Sequence, residues 1–302
     1  MRRWIGIVLM AVLVQGVAEP QSLAREPIVI TPAGRVALAD ALERLAAADV
    51  VFVGENHDHR AGHEMELQVL RSVLARRPRA VLALEMFERD VQLVLDEYLA
   101  GIINEPSFLA ASRPWPSYRT DYRAMVELCK EKGVPVVASN APRRYVNLVS
   151  RNGSEALRRL SAEARRFLAP LPVDPTMAEG YSAELDRLFG GAHGVGGPAP
   201  AGMPSPENMK AAQALWDATM ADSVLRAARR HRGALILHVN GSMHSDHGYG
   251  IVERVRRLAP RLKALVVTIK PDPAFPAVDD AAYARMADVA VVFPPEAATA
   301  RP

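Results

Sequence analysis

Short, almost wholly apolar runs alternate along this chain with longer segments whose apolar residues recur every three or four positions. The runs are Ile28-Val29-Ile30, Val50-Val51-Phe52-Val53, Ala80-Val81-Leu82-Ala83-Leu84, Val134-Pro135-Val136-Val137-Ala138, Ala234-Leu235-Ile236-Leu237, Leu265-Val266-Val267-Thr268-Ile269 and Val289-Ala290-Val291-Val292-Phe293. Runs this short, without polar alternation, predict strands buried on both faces. Between them, Leu38, Leu42 and Leu45 keep helical spacing. So do Met65, Val69, Leu70 and Val73, and later Ile251, Val255 and Leu258. Strand and helix in alternation predict right-handed crossovers and an α/β fold, a mostly parallel sheet flanked by helices.

The rhythm breaks between residues 145 and 232, where no apolar run has the length of a core strand. Leu157, Leu160, Phe167 and Leu168 predict one helix there, and Gly190 to Pro206 reads as a mobile loop. Met209, Ala212, Trp216, Met220, Val224 and Ala227 predict a long helix with one apolar stripe. This region is expected to form a smaller helical insert over the C-terminal rim of the strands. Upstream, Phe108 to Tyr122 reads as irregular and aromatic.

The N-terminus has its own pattern. Arg2-Arg3 precede an apolar stretch from Trp4 to Val14, and small residues follow up to Ala18. That is the shape of a secretory signal peptide over residues 1–18, ahead of a domain spanning 28–302, although an uncleaved anchor has the same pattern. The chain is therefore expected outside the cytoplasm, in the periplasm of a bacterium. No cysteine lies near the cleavage site, so a lipid-anchored end is not expected. Loss of Arg2 and Arg3 takes the formal charge from +3 to +1, which argues against a nucleic-acid partner. The single cysteine, Cys129, excludes an internal disulfide and lies on an apolar helical face beside Met125 and Val126.

Chemistry gathers where the apolar runs end. Val53 leads into Gly54-Glu55-Asn56-His57, and the Ala234 run leads into Gly241-Ser242-Met243-His244. The same turn, a glycine followed by histidine three residues on, thus ends two strands. Glu85 directly follows a third strand, and Asn140 and Arg143 follow a fourth; Asp246 and His247 are close to His244. Ligands of open α/β sheets bind at these carboxyl ends. Glu55, His57, Glu85 and His244 could ligate a divalent metal, with Glu55, His57 and His244 as the ligands and Glu85 activating water. They could equally run acid–base hydrolysis without metal. The rim could also line a pocket for an anionic cofactor, with Arg143 taking a carboxylate. His59 and His63, four apart, are a weaker metal pair; His238 reads as a core residue, and His193 as a surface imidazole or a mobile ligand.

Several segments in shared order make the chain resemble the ChaN-like haem-binding uptake proteins. That grouping also holds the Tiki proteases, TraB-type proteins and erythromycin-esterase-like enzymes. The segments include Gly54-Glu55-Asn56-His57-Asp58 with His63, Ala83-Leu84-Glu85-Met86-Phe87 and Trp115-Pro116-Ser117-Tyr118. Val137-Ala138-Ser139-Asn140-Ala141-Pro142-Arg143, Gln213 to Ala221, and Gly241 to His244 with Gly248-Tyr249-Gly250-Ile251 complete the set. The resemblance covers roughly Val36 to Phe293. It implies haem binding with iron held by a tyrosine, two haems facing each other in a homodimer, and a role in haem or iron acquisition with an outer-membrane uptake partner. By position, Glu55, His57, Glu85 and His244 match residues that are catalytic or metal-binding in the enzymatic relatives. Tyr181 is the first candidate for the haem ligand, with Tyr118, Tyr122, Tyr145 and Tyr249 as others. Asn140 and Arg143 are the expected cofactor-side polar groups.

Overall fold

The computed structural model describes residues 26–193 and 204–295. The expected signal peptide, most of the Gly190–Pro206 loop and the His193 side chain lie outside the described residues.

In chain order, β1 (Ile28–Thr31) and β2 (Gly34–Arg35) form a hairpin, followed by α1 (Leu38–Leu45), β3 (Val50–Glu55), α2 (Arg60–Arg76) and β4 (Ala80–Glu88). Next come α3 (Gln92–Leu99), α4 (Glu105–Ser112), α5 (Tyr118–Asp121), α6 (Arg123–Lys132) and β5 (Val136–Asn140). The helical stretch holds α7 (Arg143–Asn152), α8 (Ala162–Arg165), α9 (Glu179–His193) and α10 (Pro206–Arg230). The chain closes with β6 (Leu235–Gly241), α11 (Ile251–Leu258), β7 (Ala264–Pro271), α12 (Asp280–Met286) and β8 (Val289–Phe293).

One eight-stranded sheet runs in the order β2-β1-β8-β7-β3-β6-β4-β5. The strands from β8 to β5 are parallel, and β1 pairs antiparallel with β8 and β2. All seven apolar runs are strands, and the fold is the α/β class the pattern predicts. Alternate residues point to opposite faces. Val51, Val53, Leu82, Leu84, Leu237 and Val239 meet Met65, Val69 and Val73 of α2 on one face. Val50, Phe52, Val81, Ala83 and Ile236 meet Met220, Val224 and Val255 of α10 and α11 on the other.

The topology decides where a ligand can sit. From β3 the chain passes through α2, on the first face, to β4; from β6 it passes through α11, on the second face, to β7. β3 and β6 are hydrogen-bonded neighbours from which the chain departs in opposite directions, the switch point at which open α/β sheets bind ligands. Their last register pair is Glu55 and Gly241.

Three local expectations change. β4 does not stop at Glu85 but continues to Glu88, with its register against β5 shifted between Leu84 and Glu88. A bulge of this kind re-aims a side chain at a strand end. The segment from Phe108 to Tyr122 is not irregular. It holds most of α4 and all of α5, and α4 starts at an Asn104 cap whose Oδ1 accepts from the Ser107 amide at 3.0 Å, with a proline in its first turn. Around Leu157 to Leu168 the expected helix is only a 3-10 turn over Ser154–Arg159 and the single turn α8. The helical insert is present, and its long helix α10 packs along the second sheet face, with its N-terminal half reaching the rim.

Candidate functional site at the carboxyl ends of the strands

Gly54 and Gly241 make the site possible through closeness rather than flexibility. A Cβ on Gly54 would lie 2.8 Å from Ser245 Oγ and 2.9 Å from Ser242 Cα, so the turns after β3 and β6 touch there. A Cβ on Gly241 would lie 2.8 Å from His57 Cε1 and 3.7 Å from Glu85 Oε2. His57, from the β3 turn, therefore rests on the backbone that leads to His244, with Glu85 beside it. Glu55, His57, Glu85 and His244 do converge on one rim.

Each imidazole is held by a carboxylate. His57 Nδ1 lies 2.6 Å from Glu55 Oε1, which also accepts a hydrogen bond from the Tyr122 hydroxyl at 2.7 Å. His244 Nδ1 lies 2.6 Å from Asp217 Oδ1, and its Nε2 faces Glu85 Oε1 at 3.6 Å. The Gly241 amide donates to Glu85 Oε2 at 2.7 Å, which the bulge in β4 permits. The Glu55, Glu85, His244 and Asp217 side chains are buried, whereas that of His57 is 46% exposed. His57 is thus the member of the group that meets solvent, its ring edge-on to Trp115 at 4.9 Å.

Electrostatics follow from these pairings. Burial opposes ionisation of Glu55, but the hydrogen bond to His57 and the close approach of His63 at 3.3 Å hold its carboxyl well below the usual range. Burial likewise disfavours a charged His57, and its bond to Glu55 and the nearby Glu85 charge raise its pKa above the ordinary value. For His244, burial is outweighed by the charges of Glu85 and Asp217 and the bond to Asp217, which raise its pKa to about 9. Lying between two carboxylates, buried His244 is favoured in its imidazolium form.

The other predicted residues divide. Asn140 is buried in the last register of β5, its Oδ1 accepting from the Ala141 amide at 2.8 Å. Arg143 is exposed at the start of α7, the helix that follows Asn140 and Pro142. Asp246 is buried and paired with Lys270 at 2.6 Å, and His247 is exposed. His238 is a core residue as expected: burial lowers its pKa to about 4, and its ring lies 2.9 Å from Asn240 Oδ1. Cys129 is buried, which pushes its thiol up to about 12.

Tyr181 has no face for a haem iron. It is fully buried, donates to Asp217 Oδ2 at 3.0 Å and accepts from Gln213 Nε2 at 2.9 Å. Burial, and then the Asp217 charge, raise its pKa and so oppose the phenolate that would bind iron. Its place in this structure is to steady Asp217 behind His244. Tyr118 and Tyr122 are buried as well, and Tyr145 and Tyr249 are half-buried.

The expected metal trio of Glu55, His57 and His244 is also rearranged. Among the described residues, the group close enough to share an ion is Glu55, His63 and Glu66. His57 Nδ1 is turned to Glu55, and His244 Nε2 to Glu85. The residues the sequence reading passed over are Asp217, Gln213 and Glu66. Gln213 and Asp217 had a signal: they are polar and four apart on α10, between the apolar positions Ala212, Trp216 and Met220.

A curated relative, the chloroplastic protein RETICULATA-RELATED 5 of Arabidopsis thaliana, is 25% identical over an alignment of 247 positions that covers 77% of this chain. The chain spans 32% of that relative's length. Among solved structures, ChaN of Campylobacter jejuni, described with cofacial haem binding, is similar with a TM-score of 0.65 at 16% identity. That match covers 89% of this chain and 97% of that one and is a likeness of fold. An erythromycin esterase, EreC, is looser, at 14% identity and a TM-score of 0.44 over 77% of this chain and 72% of that one. Residues 41–255, well over half of the chain, match the family model described as haem-binding uptake, Tiki superfamily, ChaN, and the chain belongs to that family.

Proposed function

We propose that the rim at the β3/β6 switch point is an acid–base hydrolytic centre acting on an ester or amide. The observation that carries this reading is the pair of carboxylate-held imidazoles, Glu55–His57 and Asp217–His244, flanking Glu85. His57 is solvent-facing and oriented through Nδ1 by Glu55, which suits it to take a proton from water at Nε2. His244, charged below about pH 9, supplies positive charge for a developing oxyanion or a proton for a leaving group. Glu85, fixed by the Gly241 amide, holds that charge in place. The test is turnover of a panel of esters and amides by the chain and by His57→Ala and Glu85→Gln. A general acid or base contributes roughly 10²–10⁴-fold, so each variant should lose at least about 10² in rate. Equal rates in chain and variants, or no turnover by the chain across the panel, would sink the reading.

Membership in a haem-binding family supports a second reading, in which the chain binds haem outside the cytoplasm as part of haem or iron acquisition. Its homodimer, periplasmic placement and uptake partner belong to this proposal. With Tyr181 buried, the half-buried Tyr145 and Tyr249 are the ligands to test. A haem titration should give a saturable Soret shift that Tyr249→Phe or Tyr145→Phe abolishes and Tyr181→Phe leaves in place. A titration without saturation would remove haem as a ligand.

A further inference from the structure

Behind the rim, on the sheet face covered by α2, Glu55 turns its second oxygen away from His57. We propose that Glu55, His63 and Glu66 form a binding site for one divalent transition-metal ion, separate from the His57–Glu85–His244 cleft but sharing Glu55 with it. One ligand atom from each residue lies within 4.8 Å of the others. His63 Nδ1 is 3.3 Å from Glu55 Oε2 and 3.3 Å from Glu66 Oε2. Ligands about 2.0–2.1 Å from a tetrahedral ion lie about 3.3–3.4 Å from one another, so these spacings are those of a coordination edge.

Two independent observations point to a cation. Glu55 Oε2 and Glu66 Oε1 are buried and accept no hydrogen bond of normal geometry among the described residues. His63 Nε2, meanwhile, lies 3.2 Å from the His57 carbonyl oxygen, to which it can only donate. Without an ion, burial is outweighed by Glu55 and Glu66, which raise the His63 pKa to about 11, and Nδ1 donates to Glu66 Oε2 at 3.3 Å. An ion would displace that proton and take the Nδ1 lone pair, leaving the Nε2 proton on the carbonyl. A backbone carbonyl that fixes the tautomer in this way is the usual outer partner of a metal-bound imidazole. Two buried carboxylates facing the same imidazole, each with an unpartnered oxygen, need positive charge between them. Asp121 Oδ2, 3.7 Å from His63 Nε2, adds further negative charge. One imidazole and two carboxylates suit zinc, manganese or iron(II) rather than calcium. Protons could supply the charge instead, on His63 and on Glu66, and the experiment separates the two cases.

The site has a consequence for the rim. An ion on Glu55 Oε2 fixes the carboxylate plane and so aims Oε1 at His57 and the Tyr122 hydroxyl. The inference does not require the hydrolytic reading, because its readout is binding. The full chain, dialysed against a chelator, is incubated with zinc or with manganese, separated from free metal and analysed for element content and melting temperature. The site predicts about one equivalent of one of these metals per chain and a higher melting temperature. Glu66→Gln and His63→Ala should lose both effects, and His247→Ala, at an exposed histidine, should keep them. No bound equivalent in the unmutated chain overturns the site whether or not the variants fold. So does metal retained by both variants. Glu66→Gln matching the chain in stability, with no metal bound by either, assigns the cluster to shared protons.

Discussion

At the scale of single residues, function rests on how carboxylates are divided between imidazoles. His244 has Asp217 at one nitrogen and Glu85 near the other, and its pKa is about 9 in the folded chain against about 6.5 for a free side chain. The folded state therefore holds more protons than the unfolded one between those values. The stability this contributes is fully present below about pH 6.5 and is lost as pH rises through about 9. Urea unfolding at pH 6 and pH 10 should show that loss, and Asp217→Asn should reduce the difference between the two while costing about 1–3 kcal/mol at pH 6. An unchanged difference would place His244 outside the pair. Glu55, His57, Glu85 and His244 were legible because each lies in the turn at the end of an apolar run. That Tyr181 is buried against Asp217 was not, since a tyrosine's partner across 36 residues leaves no mark on its neighbours in the chain.

At the scale of elements, the strands were legible and the short helices were not. A strand buried on both faces is written as a continuous apolar run, and all seven runs are strands. α4 and α5 are a turn or two long and pack Phe108 and Tyr118 into the core, so too few positions repeat to show a helical period. The Asn104 cap with Pro106 behind it was the readable sign. The continuation of β4 to Glu88 was hidden because its last residues leave the alternation at the bulge. The glycine turns give contrasting predictions. Gly241 has φ −56°, which alanine tolerates, but an added Cβ would push the His57 ring aside. Gly241→Ala should fold with a nearly unchanged melting temperature and lose about 10²-fold in turnover, the cost of a misplacement near 1 Å. Gly54→Ala meets Ser242 backbone instead and should destabilise the fold by about 1–3 kcal/mol, measured by urea unfolding. If Gly241→Ala keeps full turnover, the His57 position is not what the rim depends on.

At the scale of the whole molecule, a parallel sheet with a switch point between β3 and β6 brings together turns almost two hundred residues apart in the chain. Convergence of the rim was an expectation from the carboxyl ends of parallel strands and their matching turns; the pairing of β3 with β6 realises it. α10 joins the core to the rim, since its later turns cover the sheet and its earlier turns carry Gln213 and Asp217 to His244. Among the described residues no helix is long and apolar enough to cross a membrane.

Whether His57 and His244 form one electrostatic unit around Glu85 can be read by titrating both imidazoles with isotope-labelled histidine and NMR. Both should titrate above the ordinary histidine value, His244 near 9, and Glu85→Gln should lower both together. Two histidines titrating at ordinary values, unmoved by Glu85→Gln, would contradict such a unit.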